Sequence, residues 1–561
     1  MAKRWETLEQ ELMGRFQILQ EAKRVVIPEW IRNSEYCNPR RVSYNETDQD
    51  PTKVRETTGR KTYDSTPQRA ASIMVTSFQG MLISPSSRWF RLYPTNTQYA
   101  DVPYVADYLE LVEQEVYNVF TKSNFYEAIN EYILDAVVLG TACLLTEEID
   151  VDGTLHFSAR HMREIAISET KGTVDTVTRD FWMQGREIEN TWEDLPDHLT
   201  SRIDQNPYEQ FQIVHMVAPT EDFQFDVEST KEFASLYFVP GENNYILEQG
   251  GFYEIPYQVW RWRKNSGELY GRSPASDAMN DVKRLDIIAK SLATLDQAIG
   301  QPPMNSPEYL RGKGGTKTTP GYSNYYKESG LKSELIDLSR GHGPVREEYE
   351  LMKDAVLQDF MVPFFLTFSN AQREMTATEV SERMSEKAAI LSNVVGRLYQ
   401  EGVNPIINRV IRTLERSNKL PKLPPELEKI MKEATPRVEM LGPLAQAQRR
   451  YHETNGIQAG LRTIGAFAQM SPDAMDNVDF DVSLREALSA DGWPQVGIKE
   501  LPEVAAIRQQ KAALMQQQMQ AQQAAEAAGT MKDLSTAPQP GSPAEMMMDA
   551  QAGAAQQGVA G

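Results

Sequence analysis

The sequence predicts an α+β fold, mainly helical, made of several parts. Three observations predict it. Apolar residues recur at helical spacing along 273–300, with both ends of that run marked by capping and breaking residues. Short segments between 141 and 262 alternate apolar and polar residues around turn dipeptides, as antiparallel strands do. The chain has 561 residues, too many for one hydrophobic core.

Residues 4–25 predict a helix with Trp5, Leu8, Leu12, Phe16 and Leu19 on one face. Residues 35–65 are polar and irregular. Helices follow near 67–83, 103–121 and 125–140. Cys143-Leu144-Leu145 and Thr154-Leu155-His156-Phe157 flank Asp152-Gly153, which predicts a hairpin. Ile165-Ala166-Ile167 and Val174–Val177 flank Lys171-Gly172, a second hairpin. Residues 210–225 and 233–262 carry further strands.

Next comes helix, insert, helix. Ser273-Pro274 opens the first helix, with Ser as N-cap and Pro in the first turn. Met279, Val282, Leu285, Ile288, Leu292, Leu295 and Ile299 form its stripe. Gly300 and Pro302-Pro303 close it. At about 1.5 Å per residue it spans roughly 40 Å. A polar insert with Gly312-Lys313-Gly314-Gly315 follows. A second helix is expected over 346–363. Thr376 and Glu379 make a capping box that starts a long helix reaching about Ser417, which Pro405 should kink. Residues 421–502 suggest shorter helices. Val504–Ala528 could be helical, with Leu514, Met515 and Met519 as a modest seam, and 529–561 has the composition of a disordered tail.

The formal charge is 58 − 79 = −21, which argues against a sequence-reading nucleic-acid binder. Two cysteines, Cys37 and Cys143, cannot build a disulfide framework or a zinc cluster, so a reducing compartment is expected. The N-terminus lacks the apolar core of a signal peptide, and the longest nearly apolar run, Ala136–Leu145, is too short to span a bilayer. The protein is therefore expected to be soluble and intracellular when made, with no membrane partner.

No motif marks a catalytic centre. Gly-Lys-Gly-Gly-Thr at 312–316 is not a phosphate loop, which needs Ser or Thr directly after Lys. Asp150-x-Asp152-Gly153 lacks the closing Glu of a calcium loop and reads as a turn. His156 and His161 have no third ligand nearby in sequence. No nucleophile elbow or Cys/His pairing stands out. No cofactor is expected, and the protein is not expected to be an enzyme.

The order of parts resembles the portal, or head-to-tail connector, protein of short-tailed bacteriophages. The stretches that carry the likeness are Tyr270-Gly271-Arg272-Ser273-Pro274-Ala275, Gln301-Pro302-Pro303, the Phe364–Thr376 segment, Gly442–Gln448, Asp479-Phe480-Asp481, Gly492-Trp493-Pro494 and Val504–Arg508. They span most of the chain up to about 510.

The resemblance implies a portal fold. Its parts would be a wing (1–272), stem helices (273–300 and 346–363), a clip (301–345), a tunnel loop (364–376), a kinked wing helix (377–420), a crown (421–502) and a C-terminal helix or short barrel (503–528). It implies a ring of twelve subunits that passes double-stranded DNA without reading its sequence. The expected partners are the terminase large subunit, a tail adaptor or tubular protein, and scaffold, capsid and internal core proteins. The virion's portal vertex would be its final location, after assembly in the host cytoplasm.

On the same basis Thr367, Ser369, Asn370, Gln372 and Arg373 would line the channel at the tunnel loop. Arg346, Glu347, Glu350, Lys353 and Asp354 are candidates for the stem's channel face. Arg311, Lys313, Lys317, Tyr322, Tyr325 and Tyr326 are candidates for docking at the clip. Twelve copies would carry 12 × −21 = −252 formal charges. DNA bears one charge per about 1.7 Å, so an acidic bore repels its backbone and lets it slide. The rival readings are another core or tail-tube protein of the virion, and a metal-dependent nuclease whose carboxylates no spacing reveals.

Overall fold

The computed structural model describes residues 5–39, 62–95, 103–148, 154–241, 245–307, 323–326, 334–335, 339–370, 391–422, 436–441, 481, 484–485, 501–534 and 546. The chain falls into two compact units, Met1–Ala459 and Gly460–Gly561.

The first unit opens with helices. These are α1 (Leu8–Arg24), α2 (Ile27–Cys37), α3 (Thr66–Leu82), α4 (Pro103–Lys122) and α5 (Phe125–Leu139), with strand β1 (Phe90–Pro94) between α3 and α4. Thr7 caps α1 by accepting from Gln10 N, and Leu8, Leu12, Phe16 and Leu19 are buried as their spacing predicts. Gly140 ends α5 with φ +81, a left-handed position that favours glycine.

Strands follow. One antiparallel sheet has the order β3 (Leu155–Arg160), β2 (Thr141–Glu148), β9 (Tyr257–Arg261). A larger one runs β4 (Ile165–Thr170), β5 (Thr173–Gln184), β6 (Gln210–Pro219), β7 (Phe233–Val239), β8 (Tyr245–Phe252), in sequence order. Ile167 pairs with Val177 in the second expected hairpin, and Lys171 (φ 54) and Gly172 (φ 89) form its turn. Two positive φ values in a two-residue loop match the right-handed twist of the strands. Two short helices not expected from the sequence, α6 (Gly185–Thr191) and α7 (Asp197–Gln205), join β5 to β6. Their Ile188, Trp192, Leu199 and Ile203 bury a satellite core with Phe211 and Ile213 of β6. On β6, Leu8, Leu12 and Phe16 of α1 pack with Val214 and Met216.

His215 ties the two sheets together. Its Nδ1 lies 2.7 Å from the Tyr257 hydroxyl and its Nε2 2.9 Å from Ser235 Oγ. Burial, with the nearby Arg179 charge, pushes its pKa down to about 3. It is a neutral core histidine.

The main core joins α2–α5, the three-stranded sheet and the roots of the later helices. Trp30, Trp89, Trp260 and Trp262 are wholly enclosed in it. Phe120 and Phe125 stack at 4.0 Å, beside Trp89 and Phe157.

Helix α8 (Pro274–Gly300) has the expected bounds. Ser273 caps it by accepting from Ser276 N. Gly300 is its last residue and does not serve as a left-handed cap, since Gln301 closes the helix at φ −131. Between α8 and the next helix lies a small sheet with β10 (Met304–Pro307) between β11 (Ser323–Tyr326, parallel) and β12 (Glu334–Leu335, antiparallel).

Three expectations need correcting. The second long helix is α9 (Ser339–Asp359), not 346–363. It begins upstream of Gly341, Gly343 and Pro344, where His342 Nε2 sits 2.9 Å from Asp296 of α8; pairing with α8 outweighs poor local helix propensity. It ends where Met361 takes φ +53. Next, the segment expected as a loop from Phe364 is helical as α10 (Val362–Asn370), because Phe364 and Phe365 are buried against the core. Lastly, 436–440 is strand β13 (Pro436–Met440), paired antiparallel with β1, rather than part of a helix.

Helical residues 391–397 run into a π-turn at Leu398–Val403 and then α11 (Asn404–Arg416). Pro405 sits in the first turn of α11, so the expected disturbance falls just before it. The start of that helix, at the Thr376–Glu379 capping box, lies outside the described residues. So does the Asp152-Gly153 turn of the first hairpin.

In the second unit, α12 (Leu501–Leu534) extends beyond Val504–Ala528 at both ends. Arg508 pairs with Asp481 at 2.6 Å. Leu514, Met515 and Met519 are exposed.

One buried carboxyl gives the first unit a pH dependence. Glu113 of α4 accepts from Leu92 N of β1 and from Arg88 Nη1, each at 3.4 Å. Burial raises its pKa to about 7, against the opposing pull of Arg88. A raised folded-state pKa means that the folded chain holds the proton more tightly than the unfolded one. The resulting stability is complete below about pH 4.5 and is lost as pH rises through about 7. Glu113→Gln keeps the shape and removes the ionisation. Denaturant titrations from pH 5 to 8 should show the parent losing stability relative to the variant, by up to about 3 kcal/mol. A constant difference between the two across that range would contradict this.

Candidate functional site: the paired long helices

The candidate site is the antiparallel hairpin of α8 and α9. At about 1.5 Å per residue, 27 residues make α8 roughly 40 Å long. Such a rod needs a firm root, and the chain supplies one in backbone. Trp262 N donates to Gly140 O at 2.8 Å, and Gly271 N donates to Thr141 Oγ1 at 2.8 Å. The two glycines meet so closely that a Cβ on Gly271 would overlap Gly140 O, and one on Gly140 would overlap Gly271 O. Beside them, Asn33 of α2 donates its amide to Val138 O (3.1 Å), Ser273 Oγ (3.2 Å) and Ser276 Oγ (2.7 Å). Ser276 Oγ in turn donates to Glu29. The first turn of α8 is thus tied to α2 and α5 by side chains that read as ordinary helix residues in sequence.

Higher up, polar side chains hold the two helices together. Arg284 Nη2 lies 2.6 Å from Glu348, and His342 pairs with Asp296 near the tip. A short strap crosses both helices. Tyr63 N donates to Asp286 of α8 at 2.6 Å, and Tyr349 of α9 donates its hydroxyl to Asp64 at 2.6 Å. Asp64 also accepts from Thr66 N at the start of α3. Burial and the Asp64 carboxylate raise the Tyr349 pKa to about 12, so the hydroxyl stays protonated as a donor. At the base, burial raises the Asp359 pKa, as do the charge of Asp281 and a hydrogen bond to it.

Of the residues expected on this hairpin, Arg346, Glu347, Glu350 and Asp354 are exposed on α9. Lys353 is half-buried and pairs with Glu350 at 3.1 Å. Thr367, Ser369 and Asn370 lie on α10, not on a loop. Tyr325 and Tyr326 belong to β11. Gln372 and Arg373 fall outside the described residues, as do Arg311, Lys313, Lys317 and Tyr322. The sequence reading missed Arg284, Asp286, Asp296, Tyr349 and the strap. Their partners lie 46 to 285 positions away, so no local pattern reveals them.

The apolar stripe of α8 divides. Met279, Val282, Leu285 and Ile288 are buried as expected. Ile299 is exposed, and so are Ile287 (65%) and Leu351 (60%). The hairpin therefore presents acidic and apolar residues together on its uncovered surface. Among the described residues, no three His, Cys, Asp or Glu side chains gather as metal ligands, and no helix is long and apolar enough to cross a membrane.

Residues 9–498 match the family described as "Bacteriophage head to tail connecting protein". The "Portal protein" of Salmonella phage epsilon15 is 25% identical over 547 residues, covering 95% of this chain and 96% of that one. The "Probable portal protein" of Bordetella phage BPP-1 is 26% identical over 535 residues, covering 92% of each. A chain in the virion of a native gene transfer agent particle is 11% identical, covering 78% of this chain and 89% of its own, at a TM-score of 0.34, which is too low to bear on function.

The root's close approach is testable by contrast. Gly267 shares the positive φ of Gly140 (+83 and +81) but faces open space. Gly267→Ala should cost about 1 kcal/mol, the usual penalty for a left-handed alanine. Gly271→Ala should cost about 3 kcal/mol or more, because backbone must move. Equal losses in chemical denaturation would show that the glycine contact does not hold the root.

Proposed function

The chain belongs to the family of bacteriophage head to tail connecting proteins, and from that membership we propose that it forms a ring at one capsid vertex. Double-stranded DNA passes through that ring during packaging and ejection. The observation that carries this reading is the α8–α9 hairpin, whose acidic and apolar residues one chain leaves uncovered. In a closed ring each hairpin has a neighbour on both sides, and heterologous contacts close when the rotation fits. Ile287, Leu351 and Ile299 are then the side chains those neighbours cover.

We assign α8 and α9 to the stem, and Glu347, Glu350 and Asp354 to its channel face, with Arg346 and Lys353 among them. An acidic surface gives DNA phosphates nothing to exchange counterions for, so the duplex slides rather than binds. The β10–β12 sheet belongs to the clip that docks a terminase and later a tail adaptor. Arg311, Lys313, Lys317, Tyr322, Tyr325 and Tyr326 are the contact candidates there. Thr367, Ser369, Asn370, Gln372 and Arg373 contribute to the narrow part of the channel, the first three from a helix. We assign residues 421–502 to the crown facing the capsid interior, with β13 (Pro436–Met440) as its connection to β1. The chain conducts DNA, and the terminase motor supplies the energy. Twelve copies give the ring its formal −252 charges (12 × −21).

Electron microscopy of the purified protein tests this directly. Class averages should show twelvefold rings with a central hole and a narrow stalk. Monomers or dimers throughout a salt series, with capsid and scaffold proteins also supplied, would contradict the ring.

A further inference from the structure

A helix in the first unit contains one residue too many. Asn404 N donates to Tyr399 O, five residues back, and closes the wide π-turn at Leu398–Val403. Such turns are rare because an inserted residue spoils the four-residue ladder, and they recur at functional sites. Pro405 follows at once and has no N–H to give. The helical residues before the turn and those after it are thus joined by an element that its own backbone does not favour.

Arg261 holds the turn in place. Its side chain is fully buried, and all five guanidinium hydrogens are used. Nε donates to Glu401 Oε2 (3.2 Å), and Nη2 donates to Glu401 Oε1 and to Gly172 O (both 2.8 Å). Nη1 donates to Glu169 Oε2 (2.5 Å) and to Leu269 O (3.3 Å). The Arg261 backbone N–H also donates to Glu401 (3.0 Å), and Arg397 Nη1 donates to it at 2.7 Å. One carboxylate inside the π-turn therefore receives four hydrogen bonds, three of them from a residue on β9.

Different contacts anchor the two sides of the turn. On α11, Arg409 donates to Thr146 O and Glu254 O, and Arg416 pairs with Glu254 and Glu148. Residues 391–397 bury Leu391, Val394 and Val395 in the core. Around the turn, Tyr132 Oη, Trp260 Nε1 and Asn404 Oδ1 are buried with no hydrogen-bond partner among the described residues. Tyr132 Oη faces Gly402, 3.1 Å from where a Cβ would stand. Buried polar groups without a partner are costly in a core.

We propose that Leu398–Val403 is a one-residue register switch latched by Arg261. When Glu401 leaves Arg261, the extra residue is absorbed into an α-helix. Residues 391–397 then turn by about 100° and shift by about 1.5 Å, the step of one residue, while α11 stays fixed. Each residue moves into the place of the one before it. Val394 enters the exposed place of Asn393, and Ser392 enters the buried place of Leu391. The latch also touches the root of α8 through Leu269 O, two residues before Gly271. The switch stands on these contacts alone and is independent of the conduit reading.

Thiol labelling tests it in the full chain. The native Cys37 and Cys143 are buried and give a low background. Val394→Cys reports the turn, and Val410→Cys, buried on α11, reports general unfolding. Glu401→Gln should speed labelling at 394 by at least about tenfold, the equivalent of one charge-assisted hydrogen bond, and leave 410 slow. Arg397→Gln removes only one of the four bonds, so it should move labelling in the same direction by less; it serves if Glu401→Gln does not fold. Unchanged labelling at 394 in a folded variant would overturn the proposal. So would a parallel rise at 394 and 410, which is opening of the whole core rather than a change of register.

Discussion

The structure depends on a backbone contact between two glycines. Gly140 ends α5 and Gly271 precedes α8, and neither tolerates a Cβ because the carbonyl of the other occupies its place. A helix of roughly 40 Å acts as a lever on whatever holds its first turn. Side-chain packing alone yields by rotamer change, whereas apposed backbones with hydrogen bonds on both sides do not. The Trp262–Gly140 and Gly271–Thr141 bonds make the sheet, α5 and the long hairpin one rigid piece at that point. The Asn33–Ser273–Ser276 contacts and the Tyr63–Asp64 strap brace the same hairpin from α2 and from the start of α3.

A rigid root leaves the far half of the hairpin exposed. There the two helices keep each other through Arg284–Glu348 and His342–Asp296, pairs worth little in water on their own. Such weak cross-links suit a rod whose remaining surface is completed by neighbours. The division of the α8 stripe follows from this. Its first half is buried in the chain's own core, and in its second half Leu292 and Leu295 are half-buried while Ile299 is exposed. In the proposed conduit, Glu347, Glu350 and Asp354 of α9 favour passage of DNA over its retention.

Much of this was legible in the sequence where local chemistry decides. Ser273-Pro274 fixed the start of α8, Lys171-Gly172 the turn between β4 and β5, and the alternation over 210–262 the strands. Local chemistry misled where tertiary contacts outweigh it. Gly341, Gly343 and Pro344 resemble the end of a loop, yet they lie in α9 because α8 runs alongside. Phe364 and Phe365 belonged to a supposed loop, yet their burial folds α10. Pro405 predicted a disturbed helix, but nothing near it in sequence pointed to Arg261, 140 positions before Glu401. The channel-face candidates Glu347, Glu350 and Asp354 are exposed on α9, while the cross-helix partners and the strap were out of reach of any local pattern. The pairing of β1 with β13 joins segments more than 300 positions apart and has no sequence signal.

The central claim is that the long hairpin is one part of a surface completed by neighbouring copies. Thiol labelling of Ile287→Cys and Leu351→Cys in the assembled protein tests it most directly, with Glu347→Cys as the exposed reference. The account predicts slow labelling at 287 and 351 in the assembly, fast labelling at both in the dissociated chain, and fast labelling at 347 in each. Labelling at 287 and 351 as fast in the assembly as in the separate chain would contradict it.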